Sequence, residues 1–488
     1  MKIGVVVKFL GFLIFVITVW MAVPTIYAIA DEGDDISGFV KSLAISAAVS
    51  SLFVLSSRKA RMDGMGTREA LASVALSWVA ASAVGGLPYW FHGSAPTYTD
   101  SFFEAMSGFT TTGSTILEDI DSTPRGLLLW RGLTHWLGGM GIIMLTLTVM
   151  PLMGVGGFQM YKAEAPGMEH EKLTPRVRNT AVILWLIYMA LTIVLTLLLL
   201  AGGMDLYDAV THSMGTISTG GFSPLGASIA GFDNAYFEWV ITVFMFISGA
   251  NFSLHYRLIK DRSLSRFLSD PEFKFYLASV SALCLAVSGW LYASRLYGSV
   301  ADSLRFGTFQ VVSLVTSTGF VSADYEQWPS FTKSLLFLCF LMGGCAGSTS
   351  GGIKHIRLLV MFRHVGRHIR KTSNPRAILP IQVGGESLRA GVVSSCLAFL
   401  GLYLIVFSAG VVLISISEPD LFTSMSAVAA TLGNVGPGFG SVGPTMSFTS
   451  QTQFAKWVYS FLMLCGRLEL YTVLVLFSRA FWRGGVAL

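Results

Sequence analysis

Four short Thr/Gly-rich segments, each following one apolar stretch and preceding another, carry the residue types that could strip water from a cation. They read Thr110-Thr111-Thr112-Gly113, Ile217-Ser218-Thr219-Gly220, Thr316-Ser317-Thr318-Gly319 and Gly433-Asn434-Val435-Gly436, about a hundred residues apart. A cation filter needs backbone carbonyls turned inward at close quarters, along a path closed to most residues with a Cβ. Glycine permits that path, and threonine adds a carbonyl and a small polar side chain that leaves the axis clear. One such tetrapeptide is common in loops, but four at this spacing can surround an axis. Polar, non-helical backbone at membrane depth is tolerated only where it is buried in protein or lines a water-filled cavity. The expected cation-coordinating residues are Thr111, Thr112, Gly113, Ser218, Thr219, Gly220, Ser317, Thr318, Gly319, Asn434, Val435 and Gly436.

The elements around these segments are legible in outline. Each segment is preceded by a short apolar stretch that opens on an acid: Asp100, Asp205, Asp302 and Asp420. Stretches such as Ser101–Phe109 are too short to cross a bilayer and suit half-helices that enter from outside. The acid then lies at the positive end of the helix dipole, and the negative end faces the pore centre, where it favours a cation. In the helix after each segment a glycine recurs, Gly139, Gly249, Gly344 and Gly466. Small residues there usually mean close helix packing, and four at one depth support a repeat of helix, half-helix, loop and helix.

Composition sets the class. The 488 residues are 53% hydrophobic and only 12% charged, with a mean hydropathy of +0.64, which excludes an ordinary soluble protein. Ten apolar stretches are long enough to span, near 4–28, 38–57, 69–91, 127–154, 179–201, 236–258, 275–297, 331–361, 387–416 and 454–478. The first is expected to be retained as a helix, a cleaved signal peptide ending near Ala30 being the alternative. Connections alternate in charge: Arg58, Lys59, Arg61 and Arg68 follow the second stretch, and Lys162, Lys172, Arg176 and Arg178 the fourth. Arg257 to Lys274 and Lys354 to Arg376 follow the sixth and eighth, while Asp34, Asp119, Asp233 and Asp324 mark the others. By the positive-inside rule both termini are cytoplasmic and the Thr/Gly segments open outward. The pI near 8.9 thus reads as a signature of orientation and not of nucleic-acid binding, and the basic loops are where anionic lipid or an acidic partner could dock. The five cysteines lack any metal-ligand spacing and are expected as packed thiols.

Two features suit a gate. The eighth stretch is interrupted by Gly343, Gly344, Cys345, Ala346, Gly347, Ser348, Thr349, Ser350, Gly351 and Gly352, whose glycines each disfavour helix by roughly 1 kcal/mol. A packing kink is one reading; a flexible intramembrane loop below the filter is the one favoured here. A phosphate loop is disfavoured, because the pattern GxxxxGK followed by Ser or Thr is not satisfied and no strand precedes the run. Arg467 lies near the middle of the last span, where a lone charge costs about 2.5–3.5 kcal/mol or more. Glu469 is two residues on, so the two side chains point to nearly opposite faces. A positive charge beneath the filter, opposing cation passage, is the expected role.

The four filter segments, the Gly433-Asn434-Val435-Gly436-Pro437-Gly438 run, the Gly-rich insert and Arg467 together resemble the TrkH/KtrB superfamily of potassium transporters, over essentially the whole chain. The helix pair before Arg58 is similar to the extra amino-terminal pair of TrkH-like members. The resemblance implies potassium selectivity from four filter glycines, the Gly-rich loop as gate, and a homodimer with one pore per protomer. It also implies a cytoplasmic nucleotide-binding ring of the TrkA type as partner and residence in the bacterial inner membrane. Val435 departs from the threonine of the other segments. The expected fold is an all-α polytopic membrane protein with four pseudo-symmetric helix–pore loop–helix units around one pore. Those units are residues 61–160, 161–262, 263–371 and 372–488, after the pair at 1–60.

The reading is a potassium uptake channel or transporter that catalyses no covalent chemistry and binds no cofactor beyond the transported ion. A secondary cation symporter with a discontinuous-helix site is the alternative, for which two or three repeats would be expected instead of four pore-like units. No nucleophile–base set or HExxH motif supports an intramembrane enzyme, and His135 and His212 read as lone packed histidines.

Overall fold

In a computed structural model the chain is described over residues 1–60, 65–141, 177–377 and 379–483. The basic residues read at 61 and from 162 to 176, the end of the fourth apolar stretch and the carboxyl terminus lie outside these.

Helix α1 (Ile3–Ala30) and helix α2 (Ile36–Ser56) form an antiparallel pair. Gly38, Ser42, Ser46 and Ser50 recur every four residues along the buried face of α2, where Gly38 lies against Pro88 and His92. Ser50 donates to the Gly11 carbonyl at 2.8 Å, and an added Cβ at Gly11 would meet Val54 backbone at 3.1 Å. Between lipid-soluble surfaces it is this close approach that holds helices together, since lipid removes the hydrophobic drive.

Four units follow. The first has α3 (Thr67–Gly85), α4 (Leu87–His92), α5 (Tyr98–Phe109) and α6 (Arg125–Trp136), which continues as a π-helical turn over Leu137–Gly141. The second has α7 (Val177–Ala201), α8 (Leu206–Ile217), α9 (Ala235–Ser248) and α10 (Phe252–Asp261), and a short α11 (Leu264–Ser269) leads into the third. The third has α12 (Pro271–Ala293), α13 (Val300–Val315), α14 (Ser330–Leu341) and α15 (His355–Ser373). A hairpin of Gln382–Val383 and Glu386–Ser387 leads into the fourth, with α16 (Ala390–Ile414), α17 (Leu421–Leu432), α18 (Gln453–Arg467), α19 (Tyr471–Leu474) and α20 (Arg479–Arg483).

The units differ from the sequence reading in one systematic way. The first helix of every unit follows its apolar stretch from end to end, α3 and α4 together forming one span (Arg68–His92), and with α1 and α2 these make six long apolar spans among the described residues. Among the described residues no second helix continues as one straight α-helix. α6 passes into a π-turn, α9 and α10 meet at 94°, α14 and α15 are separated by the Gly-rich loop, and α18 turns by 114° into α19. The stretches 236–258 and 454–478, read as single spans, are therefore bent pairs. The break falls where each second helix passes the end of a half-helix and backbone must approach backbone. Gly138 lies against the Phe109 carbonyl and Gly466 against the Leu432 carbonyl.

The half-helices α5, α8, α13 and α17 carry the acids as expected. Asp205 and Asp420 cap their helices directly, accepting from the Tyr207 and Thr423 N–H groups. Asp100 and Asp302 sit at the third helical position, where Thr97 and Ser299 cap the helix and donate their hydroxyls to them at 2.7 Å. Both arrangements satisfy orphan N–H donors and place negative charge at the helix start.

Candidate functional site

The four half-helices end in one cap, repeated four times. The residue after the C-cap is left-handed: Thr111 (φ 53°), Thr219 (55°), Ser317 (55°) and Asn434 (54°). The next N–H then reaches back to the last turn, Thr112 to Ser107 at 2.9 Å, Gly220 to Gly215, Thr318 to Ser313 and Val435 to Ala430 at 2.8 Å each. This is a Schellman cap formed without glycine at the left-handed position, which costs roughly 1–2 kcal/mol per residue. Four copies of one strained turn mark a site whose surroundings impose the conformation.

The cap spends the N–H groups and leaves the carbonyls. Those of Thr112, Thr318 and Val435 accept no hydrogen bond among the described residues, and that of Gly220 lies beside the His135 ring. The following residue is a glycine with positive φ in every unit: Gly113 (87°), Gly221 (82°), Gly319 (79°) and Gly436 (105°). An added Cβ at Gly113 would strike the Gly220 carbonyl, at Gly221 that of Thr318, at Gly319 that of Val435, and at Gly436 that of Thr112. Each unit thus touches the next, and the fourth returns to the first. The segments form a closed ring whose carbonyls can replace the hydration shell of a cation.

That closure corrects the register of the second segment. Gly221 is the counterpart of Gly113, Gly319 and Gly436, while Gly220 stands where Thr112, Thr318 and Val435 stand. Val435 is in step with the others, so its departure from threonine leaves the backbone path intact. Side chains break the four-fold pattern: Thr110 and Thr112 share a hydroxyl contact of 2.8 Å, as do Thr316 and Thr318, while the other two units lack such a pair. Outward of the ring lies a cavity of about 410 Å³, with Gly113, Ser114, Gly221, Gly319, Pro437 and Glu118 among its walls.

The expected gate residues lie directly against the ring on its other side. The loop leaves α14 at Met342 and returns at Ile353, which pair as a short parallel bridge, with Gly343 N–H on the Ile353 carbonyl at 2.9 Å. Between these points it reaches three units. Thr349 donates to the Ile217 carbonyl at 3.1 Å and meets the Thr219 hydroxyl at 3.2 Å. Gly351 N–H donates to Ser317 at 2.6 Å, and a Cβ there would strike the Gly433 carbonyl. Cys345 N–H donates to Gly249 at 2.7 Å. Ser348 and Ser350 share a hydroxyl contact of 2.8 Å, Gly347 accepts from Phe252 at 3.1 Å, and Gly352 is left-handed beside Met342.

Arg467 joins the loop to the remaining unit. Its guanidinium donates to the carbonyl of Thr349 at 2.6 Å and to those of Gly138 and Gly139 at 2.7 and 2.6 Å. Glu469 is paired instead with Arg357 of α15 at 2.5 Å. The recurring glycines also need a shift. Gly139 and Gly249 are equivalent, each facing a tyrosine hydroxyl (Tyr188, Tyr276) and the C-cap of the next half-helix (Ser218, Thr316). Gly466 matches Gly138, so Arg467 itself occupies the position of Gly139 and Gly249.

Several partners are invisible in sequence. Glu272, at the start of α12, accepts from Ala346 N–H at 2.7 Å and Ile356 N–H at 3.0 Å, holding both sides of the loop. Lys354 donates to the Ser350 carbonyl, and His355 donates through Nδ1 to Gly343. Lys456 of α18 and Asp100 form a buried ion pair at 2.6 Å between the fourth and first units. Arg131 and Glu104 form another at 2.8 Å beside the first segment. None carries a motif; only a charge inside an apolar stretch could have pointed to Arg131 and Lys456. The five cysteines are free thiols.

The family described as "TrkH: cation transport protein" matches residues 36–483. The chain is 38% identical to the Trk system potassium uptake protein TrkH of Escherichia coli (strain K12), over 98% of this chain and 99% of that one. It is 36% identical to the protein of the same name from Halomonas elongata, over 99% and 100%. The crystal structure of the potassium transporter TrkH from Vibrio parahaemolyticus superposes with a TM-score of 0.89 at 33% identity, covering 99% of this chain and all of that one.

Proposed function

The chain belongs to the TrkH family of cation transport proteins, and from that premise we propose that it is a potassium-selective uptake channel or transporter subunit of the bacterial inner membrane. The observation that carries the reading is the closed ring of four segments with their carbonyls and positive-φ glycines. A potassium ion dehydrated there exchanges water for backbone carbonyls, while the dipoles of four half-helices aim their negative ends at it. The names of the relatives supply the ion.

Permeation in this reading has two barriers in series. The ring selects, and the loop Gly343–Gly352 closes the path beneath it, held by Arg467, Ser317 and Glu272. Opening requires the loop to leave those partners. A regulatory nucleotide-binding ring of the TrkA type and a second copy of the chain complete the assembly. Helix α15 suits such docking: Phe362, Val365 and Ile369 are exposed among Arg363, Arg370 and Lys371. Both termini are cytoplasmic and units 61–160, 161–262, 263–371 and 372–488 each contribute one quarter of the ring.

Purified protein in vesicles tests this reading. Potassium uptake should exceed sodium uptake under matched gradients, and equal rates for the two ions would refute it. A reporter inserted near Asp34 should be external and one near Arg367 cytoplasmic.

A further inference from the structure

The second segment poses a question that its backbone does not answer. Gly220 has no positive φ, unlike Gly221, and its counterparts Thr112, Thr318 and Val435 all carry side chains. Nothing in the local conformation requires glycine. The reason is lateral: a Cβ at Gly220 would fall 2.5 Å from Cδ2 and 2.8 Å from Nδ1 of His135, closer than real Cβ contacts.

His135 cannot easily give way. It is wholly buried, its Nδ1–H donates to the Gly108 carbonyl at 2.7 Å, and its ring stacks on Phe222 at 4.1 Å. Phe222 is the residue after Gly221. One turn earlier on α6, Arg131 also covers Phe222, its guanidinium 4.0 Å from the ring centre. Arg131 is anchored by Glu104 at 2.8 Å and donates to the Ser223 carbonyl at 3.1 Å. Arg131 and His135, four residues apart on one helix face, therefore grip the chain on the far side of the second segment. In the next unit the same clasp is missing: by the equivalence of Gly139 with Gly249, the matching positions on α9 are Ile241 and Met245.

We propose that His135 is a specificity-determining positioning residue, whose imidazole fills the place of the side chain missing at Gly220 and so sets where the Gly220 carbonyl stands in the ring. The proposal rests on the reading of the ring as a potassium filter. His135 acts through the backbone it supports and does not itself touch the ion.

The experiment is a reciprocal swap, read as the potassium-to-sodium flux ratio in vesicles at matched amounts of folded protein. His135→Ala opens the space, and Gly220→Ala overfills it. Each should lower the ratio about fivefold or more, and His135→Ala with Gly220→Thr should bring it back to within about twofold of the parent, the strong coupling expected of residues in contact. Should His135→Ala not fold, Gly220→Ala alone decides, because its backbone conformation is open to alanine. An unchanged ratio in either single variant, or a double variant no better than the product of the singles, would overturn the proposal. In those cases the parent keeps its potassium preference; if the parent itself shows none, the filter reading fails and this proposal falls with it.

Discussion

The ring and the layer beneath it are built from opposite materials, as the proposed filter and gate would each require. The ring is backbone, written four times: one cap, one left-handed residue, one positive-φ glycine per unit, each glycine seated on its neighbour's carbonyl. Among the described residues the layer below is written once. A single unit supplies the loop, a single unit supplies Arg467, and the equivalent positions in the first two units are the bare glycines Gly139 and Gly249. A selecting site benefits from symmetry, because equal carbonyls present an ion with one cage. A barrier that must open benefits from asymmetry, since one element can leave without dismantling the cage.

The comparison is tested most severely at Arg467. Its hydrogen bonds to Thr349, Gly138 and Gly139 join the loop to the first unit, and bonds to a charged group are worth about 1.5–3 kcal/mol each. Arg467→Ala should raise basal potassium flux in vesicles by roughly tenfold or more, without the cytoplasmic partner. Shortening the Gly343–Gly352 loop should do the same, and the two changes combined should give far less than the product, because both remove one barrier. Lower flux in folded protein would mean that the loop is a structural kink.

A change in the ring should alter selectivity and leave gating alone. Gly113→Ser, Gly221→Ser, Gly319→Ser or Gly436→Ser puts a Cβ both in a left-handed backbone and against a carbonyl. The strain of about 1–2 kcal/mol should lower potassium preference by roughly tenfold, with sodium or lithium entering. Four similar losses would sharpen the symmetry argument, and a silent Gly221→Ser would break it.

Glu272 offers a finer test of the lower layer. Glu272→Ala frees the Ala346 and Ile356 N–H groups but leaves Arg467 and Ser317 on the loop, so basal flux should rise only about threefold. Glu272→Gln keeps an acceptor oxygen and should stay near the parent. Equal effects from both would mean that charge, not the hydrogen bonds, secures the loop.

The smallest effect is expected at the ring hydroxyls. Thr112→Val and Thr318→Val remove the contacts to Thr110 and Thr316 yet keep the backbone path, and Val435 already occupies the equivalent position. Selectivity should change by no more than about twofold. A larger loss would show that side chains, and not only carbonyls, define the cage.

Much of this is legible in the amino-acid sequence. Hydropathy located the stretches, short apolar runs opening on Asp100, Asp205, Asp302 and Asp420 located the half-helices, and the Thr/Gly segments located the ring. Arg467 stood out because a charge within an apolar run must be accounted for. The misreadings share one cause. Ser218-Thr219-Gly220-Gly221 offers two adjacent glycines, and nothing in the chain says which one takes positive φ. Gly466 looked like the partner of Gly139 because glycine matched glycine, while the true counterpart is an arginine. The pairing of Glu469 with Arg357, 112 residues away in sequence, had no local trace.

The sequence by itself determined what depends on neighbours along the chain: which stretches are apolar enough for lipid, where helices are capped, and where a Cβ or a helix cannot be sustained. The tertiary structure alone decided what depends on the gap between units. Ring closure, the register of Gly221, the seat of His135 behind Gly220 and the reach of Arg467 to Gly138 and Thr349 are all set by how closely four separate helix pairs approach. Local propensity acts over a turn or two of backbone, whereas a carbonyl one unit away acts only once packing has brought it within contact.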